Sequence, residues 1–333
     1  MRGKYLISKT DWDQHLCEII NDYNVYAPLL TEKNQDYHFI QKDNVSQIVY
    51  NTPKPTTPLK TFFLPVKENV VIEKEQARSR IIMGIPSCDL AGLGILDEIY
   101  LAEPYFDIVY QKNRDNTLLI GTDCFELLEH CHCTSYGINP YPEEYYDISL
   151  ALVDEEVYLT VQSEKGETFL KKTDHNRISR ELSDKEFEKV LEKREKIKLQ
   201  LDDKNKHLPE YSKTTELVKN AKKDIWEKYA KNCVSCGACA TICPTCTCFL
   251  LVDRPGFEKV RQLDACQYPA FMRIAAGEDP LAQRHIRFRN RYLCKYVWKP
   301  EKYESTACTG CGRCIEACIG NINKNELFLE LTA

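Results

Sequence analysis

The 333-residue sequence predicts an α+β architecture: an N-terminal α/β domain, a charged connector and a mainly helical, cysteine-rich C-terminal domain. Three observations lead there. In the first half, apolar runs of buried-strand type at 80–85 and 117–121 alternate with helix-like patterns. From 163 to 222 the composition shifts to Lys, Glu and Asp with few apolar positions. Past Trp226 come two runs of identical spacing, Cys233-x2-Cys236-x2-Cys239-x3-Cys243 and Cys308-x2-Cys311-x2-Cys314-x3-Cys318. The expected boundaries are 1–162, 163–225 and 226–333.

Each run has the spacing by which bacterial-type ferredoxins hold a [4Fe-4S] cube. Two-residue gaps bring three thiolates from one tight turn onto three irons, and the fourth cysteine, one helical turn on, serves the neighbouring cube. The expected ligand sets are therefore crossed. Cys233, Cys236, Cys239 and Cys318 bind one cube, and Cys308, Cys311, Cys314 and Cys243 bind the second. The C-terminal part reads as a ferredoxin-like 2[4Fe-4S] domain. Disulfides and structural zinc are the alternatives. Disulfides do not account for two identical spacings, and zinc sites favour C-x2-C pairs set well apart.

Composition narrows the class. A net charge of -5 and a pI near 5.9 give no basic field for nucleic acid. The opening residues run straight into Lys9 and Asp11 without a signal-type apolar stretch, and no apolar segment approaches the ~20 residues that span a bilayer. A soluble, cytoplasmic protein is expected, in which 17 cysteines mean metal rather than a disulfide scaffold.

Taken in order, residues 10–28 are expected to form an amphipathic helix on Trp12, Leu16, Ile19, Ile20 and Tyr23, ended by Tyr26-Ala27-Pro28, with Cys17 an inert thiol. Short strands are expected at 37–40, 47–50 and 61–64, with a stiff proline loop at 52–58. The strand at 80–85 delivers Ser87-Cys88-Asp89, and a helix follows over 90–100. Gly92-Leu93-Gly94 lies inside that helical pattern and lacks a third glycine, so it reads as packing, not a nucleotide loop. The strand at 117–121 ends at Thr122-Asp123-Cys124, with Cys131-His132-Cys133 shortly after. Cys88 and Cys124 lie past the ends of neighbouring strands, where α/β sheets place ligands. With Cys131 and Cys133 they suit a third [4Fe-4S] cluster or zinc, or are four unrelated thiols; spacing alone does not decide.

A late strand is expected at 157–161. In the connector, Ser183-Asp184-Lys185-Glu186 resembles a helix start, and Phe187, Val190 and Leu191 give a thin apolar stripe on a solvated face. Between the cysteine runs lie Cys246, Cys248, Cys266 and Cys294, either a further cluster site or buried thiols packing around existing clusters. Arg284, His285, Arg287, Arg289 and Arg291 surround Phe288, either as a solvated charged face or for cluster tuning or docking of an acidic partner. The seven histidines show no metal-ligand spacing; His130 and His132 flank Cys131 and either hydrogen-bond near a cluster and tune it or are simply exposed, the plainer reading.

Further pieces carry a family resemblance: Tyr26-Ala27-Pro28, Cys88-Asp89, Cys124 with Cys131-x-Cys133, Cys243-Pro244-Thr245-Cys246-x-Cys248, Asp264-Ala265-Cys266, and Phe288-Arg289-Asn290-Arg291-Tyr292-Leu293-Cys294-Lys295. In this order they resemble the β subunit of cytosolic sulfhydrogenases ([NiFe] hydrogenases) and its related counterpart in anaerobic sulfite reductase. The resemblance implies an iron–sulfur electron carrier in a hetero-oligomer, between a flavin- and NAD(P)-linked subunit and a hydrogenase or sulfite-reducing catalytic subunit. It also implies a third cluster at Cys88, Cys124, Cys131 and Cys133. One departure is Ile319 after Cys318, where such motifs carry proline. Two rival readings stand beside it: a stand-alone sulfur-compound reductase using an open iron or the Cys246/Cys248 thiols, and a structural or redox-sensing iron–sulfur protein. The chain offers no Gly-rich phosphate loop and no Ser-His-Asp pattern for bond chemistry of its own.

Overall fold

The computed structural model describes residues 3–32, 34–71, 78–172, 180–256 and 258–332. Its strands are β1 (Gly3–Ser8), β2 (Asn24–Leu30), β3 (Gln35–Phe39), β4 (Lys67–Asn69), β5 (Arg80–Pro86), β6 (Thr117–Thr122), β7 (Ile148–Val153), β8 (Glu156–Val161), β9 (Arg180–Glu181), β10 (Phe249–Arg254) and β11 (Glu258–Leu263). Eight of them make one mixed sheet in the order β3-β2-β5-β6-β7-β8-β1-β9. β2, β5, β6 and β7 run parallel, flanked by antiparallel neighbours on both sides. The α/β expectation holds.

Side-chain alternation explains the layers. Ile81 and Met83 of β5, with Leu118 and Ile120 of β6, face a core closed by α1 (Lys9–Ile19). Ile82, Ile85 and Leu119 face the opposite core, closed by α2 (Ser87–Tyr100) and α3 (Ile108–Asp115). Met83 and Ile85 would share a face in a regular strand. A bulge at Gly84 shifts the register between them and sends Ile85 towards α2. Gly84 has φ +70, and a Cβ there would lie 2.5 Å from the Pro28 ring. Its neighbour on β2 is thus the proline, which has no N–H to give at the point where β2 and β5 part.

Pro28 lies inside β2, so the helix expected over 10–28 is shorter. Ser8 Oγ accepts from the Asp11 N–H at 3.0 Å to start α1, which ends at Ile19. After a turn at Asn21 and Asp22 the chain re-enters the sheet, because Val25, Ala27 and Leu29 bury between α1 and the neighbouring strands. Two expected strands are also corrected. Val45–Gln47 and Leu59–Phe62 are 3₁₀ turns, with only Ile48 bridging to Leu29. Short apolar runs near prolines do not separate a strand from a buried turn. Leu59, Phe63 and Leu64 still bury, in the core under α2, each contributing roughly 1.5–3 kcal/mol of burial. Gly92 and Gly94 are packing glycines, as expected, set against Pro244 and the Tyr145 ring.

The connector carries α4 (Glu164–Lys171), α5 (Glu188–Asn205) and α6 (Tyr211–Asn220). Ser183 and Glu186 do form a capping pair, Oγ to Oε2 at 2.8 Å, just before α5. α5 is more than a solvated face. Arg194 grips buried Asp123 at 2.6 Å, and Asn205 donates to the Cys131 carbonyl at 3.0 Å. His175 lies outside the described residues.

The C-terminal part holds α7 (Lys223–Ala230), α8 (Ala238–Thr241), α9 (Arg284–Leu293), α10 (Lys299–Tyr303), α11 (Arg313–Glu316) and α12 (Lys324–Thr332), around Trp226, Phe288, Tyr292, Tyr296 and Phe328. It also contains an element not foreseen in the sequence, the β10–β11 hairpin, which pairs with β4 from the N-terminal half. Arg261 of β11 meets Glu68 of β4 at 2.7 Å with both side chains buried. No helix among the described residues is long and apolar enough to cross a membrane.

Candidate metal centres

Each C-terminal cysteine run is a tight turn followed by a short helix. Gly237 and Gly312, each directly after the second cysteine, take φ +74 and +78 and open α8 and α11. Cys233, Cys236, Cys239 and Cys318 line one cavity. Cys243, Cys308, Cys311 and Cys314 line a second, and Cys314 reaches the first as well. These are the two crossed sets drawn from the spacing, brought together by packing of α8 against α11.

The surroundings test whether this space fits an anionic iron–sulfur group. Arg291, Lys295 and Lys324 all border the second cavity, and each is buried. None has a carboxylate partner among the described residues. Lys295 Nζ donates to Cys243 Sγ at 3.0 Å and to the Ala307 carbonyl at 3.0 Å. Burial opposes its charge, but the Cys243 and Cys246 sulfurs outweigh it and raise its pKa. Arg291 is held charged in the same way, burial being outweighed by Cys239 and Cys314. Buried cations need compensation, and here thiolates supply it. Arg291 Nε and Thr309 Oγ1 are buried without a hydrogen-bond partner. Thiolate and sulfide sulfurs accept such hydrogen bonds, so the donor set fits a [4Fe-4S] group at each cavity.

The thiols themselves divide. A hydrogen bond from Cys246, then the Lys295 and Lys60 charges, hold Cys243 well below the ordinary thiol range despite burial. Burial raises Cys308, yet Lys324 and Lys295 bring it down overall. Burial pushes Cys239 and Cys311 up to about 11.

The N-terminal cysteines converge as well. β5 and β6 end side by side, Pro86 opposite Thr122, so Cys88 and Cys124 emerge at one rim of the sheet. Cys124 lies close enough to Cys133 and Cys131 for their charges to act on it, and Cys88 senses both Cys311 and Cys124. Burial raises all three of Cys88, Cys124 and Cys133, the last to about 12. Buried Lys54 stands beside Cys131 and Cys311 and pairs with Glu316 at 2.7 Å.

This group abuts the second cavity directly. The His132 N–H donates to the Gly310 carbonyl at 3.0 Å. Gly310 and Gly312 leave no room for a Cβ against the His132, Cys133 and His130 backbone. Asp89, next to Cys88, holds Arg313, between Cys311 and Cys314. His132 is buried rather than exposed: Nδ1 lies 2.7 Å from the His130 carbonyl, and burial keeps its pKa well below the usual histidine value. Of the arginine group, Arg287 and Arg291 turn inward to the cysteine turns, and Arg289 is exposed.

The remaining cysteines form a chain rather than a four-cornered site. The Cys246 thiol donates to the Cys243 sulfur, and the Cys266 thiol to the Cys248 sulfur. The Cys266 hydrogen bond lowers Cys248 to about 6 and raises Cys266. No interaction joins Cys294 to these three among the described residues. Nor do any three Cys, His, Asp or Glu side chains among those residues converge tightly enough to hold a single metal ion.

Comparison with known proteins agrees with the C-terminal geometry. Residues 232–322 match the family model described as a 4Fe-4S dicluster domain. Over 318 residues, 92% of this chain and 92% of the relative, the sequence is 29% identical to sulfhydrogenase 2 subunit beta of Pyrococcus furiosus. No solved structure matches at a significant level. The chain thus carries a 4Fe-4S dicluster domain near its C-terminus and resembles sulfhydrogenase beta subunits over nearly its whole length.

Proposed function

We propose that this chain is the iron–sulfur electron-transfer subunit of a multi-subunit oxidoreductase. It relays electrons between a flavin- and NAD(P)-linked subunit and a terminal hydrogenase or sulfur- or sulfite-reducing partner. The observation that carries this reading is the adjacency of three thiol groups: Cys314 borders both C-terminal cavities, and Cys311 lies against the Cys88, Cys124, Cys131 and Cys133 group.

In this reading Cys233, Cys236, Cys239 and Cys318 hold the first [4Fe-4S] cluster, Cys243, Cys308, Cys311 and Cys314 the second, and the N-terminal four a third. When bound, such clusters supply reversible one-electron transfer. The chain's own residues fix the order and tune it. Arg291, Lys295 and Lys324 place positive charge beside the second set, and Lys54 stands between the second and third. Cys236 is exposed, which puts an end of the series at the surface for a partner.

The test is anaerobic purification from the native host under non-denaturing conditions, with redox titration of the purified chain. Stable association with a flavoprotein and a catalytic subunit, and reversible reduction of the clusters, are the expected results. Isolation of the chain as a fully active monomer would overturn the relay, and clusters that cannot be cycled would point to a structural role.

A further inference from the structure

We propose that Cys248 and Cys266 form a redox-active thiol pair whose substrate is an external disulfide. The hairpin holds them together. Cys248 precedes β10, Cys266 follows β11, and the Asp264 N–H donates to the Cys248 carbonyl at 3.0 Å, closing the hairpin base. The two thiols hydrogen-bond to each other, and the Cys266 backbone N–H also points at the Cys248 sulfur.

Their settings differ in the way a two-thiol exchange requires. Cys248 is half-buried, with the Lys299 charge nearby to favour thiolate. Cys266 is buried and held by Gln267, whose amide lies 3.6 Å from the sulfur and 2.8 Å from the Arg287 carbonyl. Inward, the Cys246 thiol bonds to Cys243, which lines the second cavity. Thiols therefore run from the cavity to the hairpin base. The arrangement differs from the Cys246/Cys248 pair of the rival stand-alone-reductase reading, since each of those thiols has a different partner.

The chemistry balances as follows. Cys248 thiolate attacks one sulfur of the disulfide RS–SR′, forms the Cys248–SR mixed disulfide and releases R′S⁻, which takes a proton. Cys266 thiolate then attacks the Cys248 sulfur, expels RS⁻ and closes the Cys248–Cys266 disulfide. Two electrons and two protons restore both thiols, so that RSSR′ + 2e⁻ + 2H⁺ gives RSH and R′SH. The electrons come singly from a reduced iron–sulfur donor on the Cys243 side. To that extent the proposal rests on the relay reading.

The experiment uses the full chain with its clusters reconstituted. It is reduced photochemically, freed of reductant, and given oxidised glutathione under argon. Thiols are then alkylated for mass spectrometry while the visible cluster absorbance is followed. The wild-type chain is expected to return two glutathione thiols per disulfide. Cys248→Ser is expected to lose at least tenfold of this activity. Cys266→Ser is expected to trap a glutathione adduct on Cys248, with iron unchanged in both variants. A loss of about four irons in either variant would make these cysteines cluster ligands and overturn the proposal. So would equal glutathione reduction by Cys248→Ser. If the clusters bleach and recover while a Cys248–Cys266 disulfide persists, the thiol pair fails and the relay stands. If the clusters never cycle, the relay itself fails, and this proposal with it.

Discussion

Asp89 and Arg313 join the two halves of the chain through an ion pair buried at both ends, Nη2 to Oδ2 at 2.9 Å, and Arg313 also donates to the Pro55 carbonyl at 2.7 Å. Each neighbours a cysteine: Asp89 follows Cys88, and Arg313 lies between Cys311 and Cys314. The pair therefore sets the spacing between the N-terminal thiols and the second C-terminal set. Asp89→Ala leaves a buried guanidinium without its countercharge, and removing one partner of such a pair costs about 3–5 kcal/mol. Chemical denaturation of the anaerobic protein is expected to show this loss. Asp89→Ala together with Arg313→Met is expected to recover part of it, and a double variant no better than the single would deny the coupling.

Gly310 tests the docking of the Cys131–Cys133 loop. It has φ +62, and alanine there meets the His132 carbonyl and the Cys133 backbone. Gly256, at φ +87 with nothing within 4 Å of a Cβ, carries backbone strain alone. Both Gly→Ala variants are expected to lose about 1–3 kcal/mol from strain. Gly310→Ala should lose more than Gly256→Ala in thermal melts, together with the iron proposed for Cys88, Cys124, Cys131 and Cys133. Equal losses would mean the loop does not depend on this contact.

Iron and acid-labile sulfide per chain are expected near twelve, four for each of three cubes. Cys124→Ser should remove about four and leave the remaining cluster absorbance intact. A wild-type value of about eight, unchanged in Cys124→Ser, would confine the clusters to residues 232–322.

Lys295→Met removes a cation whose Nζ lies 3.0 Å from Cys243 Sγ and keeps most of the side-chain volume. Reduction adds negative charge, so losing a nearby positive charge disfavours the reduced form. The potential of the second cluster should fall by on the order of 60 mV, a tenfold change for a one-electron couple. Redox titration followed by electron paramagnetic resonance reads this directly. An unchanged or higher potential would show that Lys295 neutralises thiolate charge without tuning the couple.

What the sequence made legible follows from how local each contact is. Three cysteines of each C-terminal run converge within one turn, so spacing alone pointed to the sets that line the two cavities. The runs at 80–85 and 117–121 were readable as buried strands because both faces of the sheet are covered. By contrast, Cys131 and Cys133 are set by glycines nearly two hundred positions away, and no periodicity records that contact. Tyr26-Ala27-Pro28 looked like a helix end because proline stops helices, whereas Gly84 makes a place for it beside a strand. The β10–β11 hairpin escaped notice because Phe249, Leu250, Leu251 and Val252 are exposed, so its residues show no alternation between apolar and polar. Ser183 and Glu186, a contact three residues apart, were legible for the opposite reason.

The pairing of β4 with β11 has a consequence for synthesis on the ribosome. Glu68 is made early, but its buried partner Arg261 and the strand that covers β4 emerge only after most of the chain has been translated. At the usual elongation rates of about 5–20 residues per second, that interval is roughly 10–40 s. Throughout it the nascent N-terminal half keeps an uncovered edge and a carboxylate without its guanidinium. The half-made protein therefore stays open along β4, and closure waits for the hairpin in the last third of the chain.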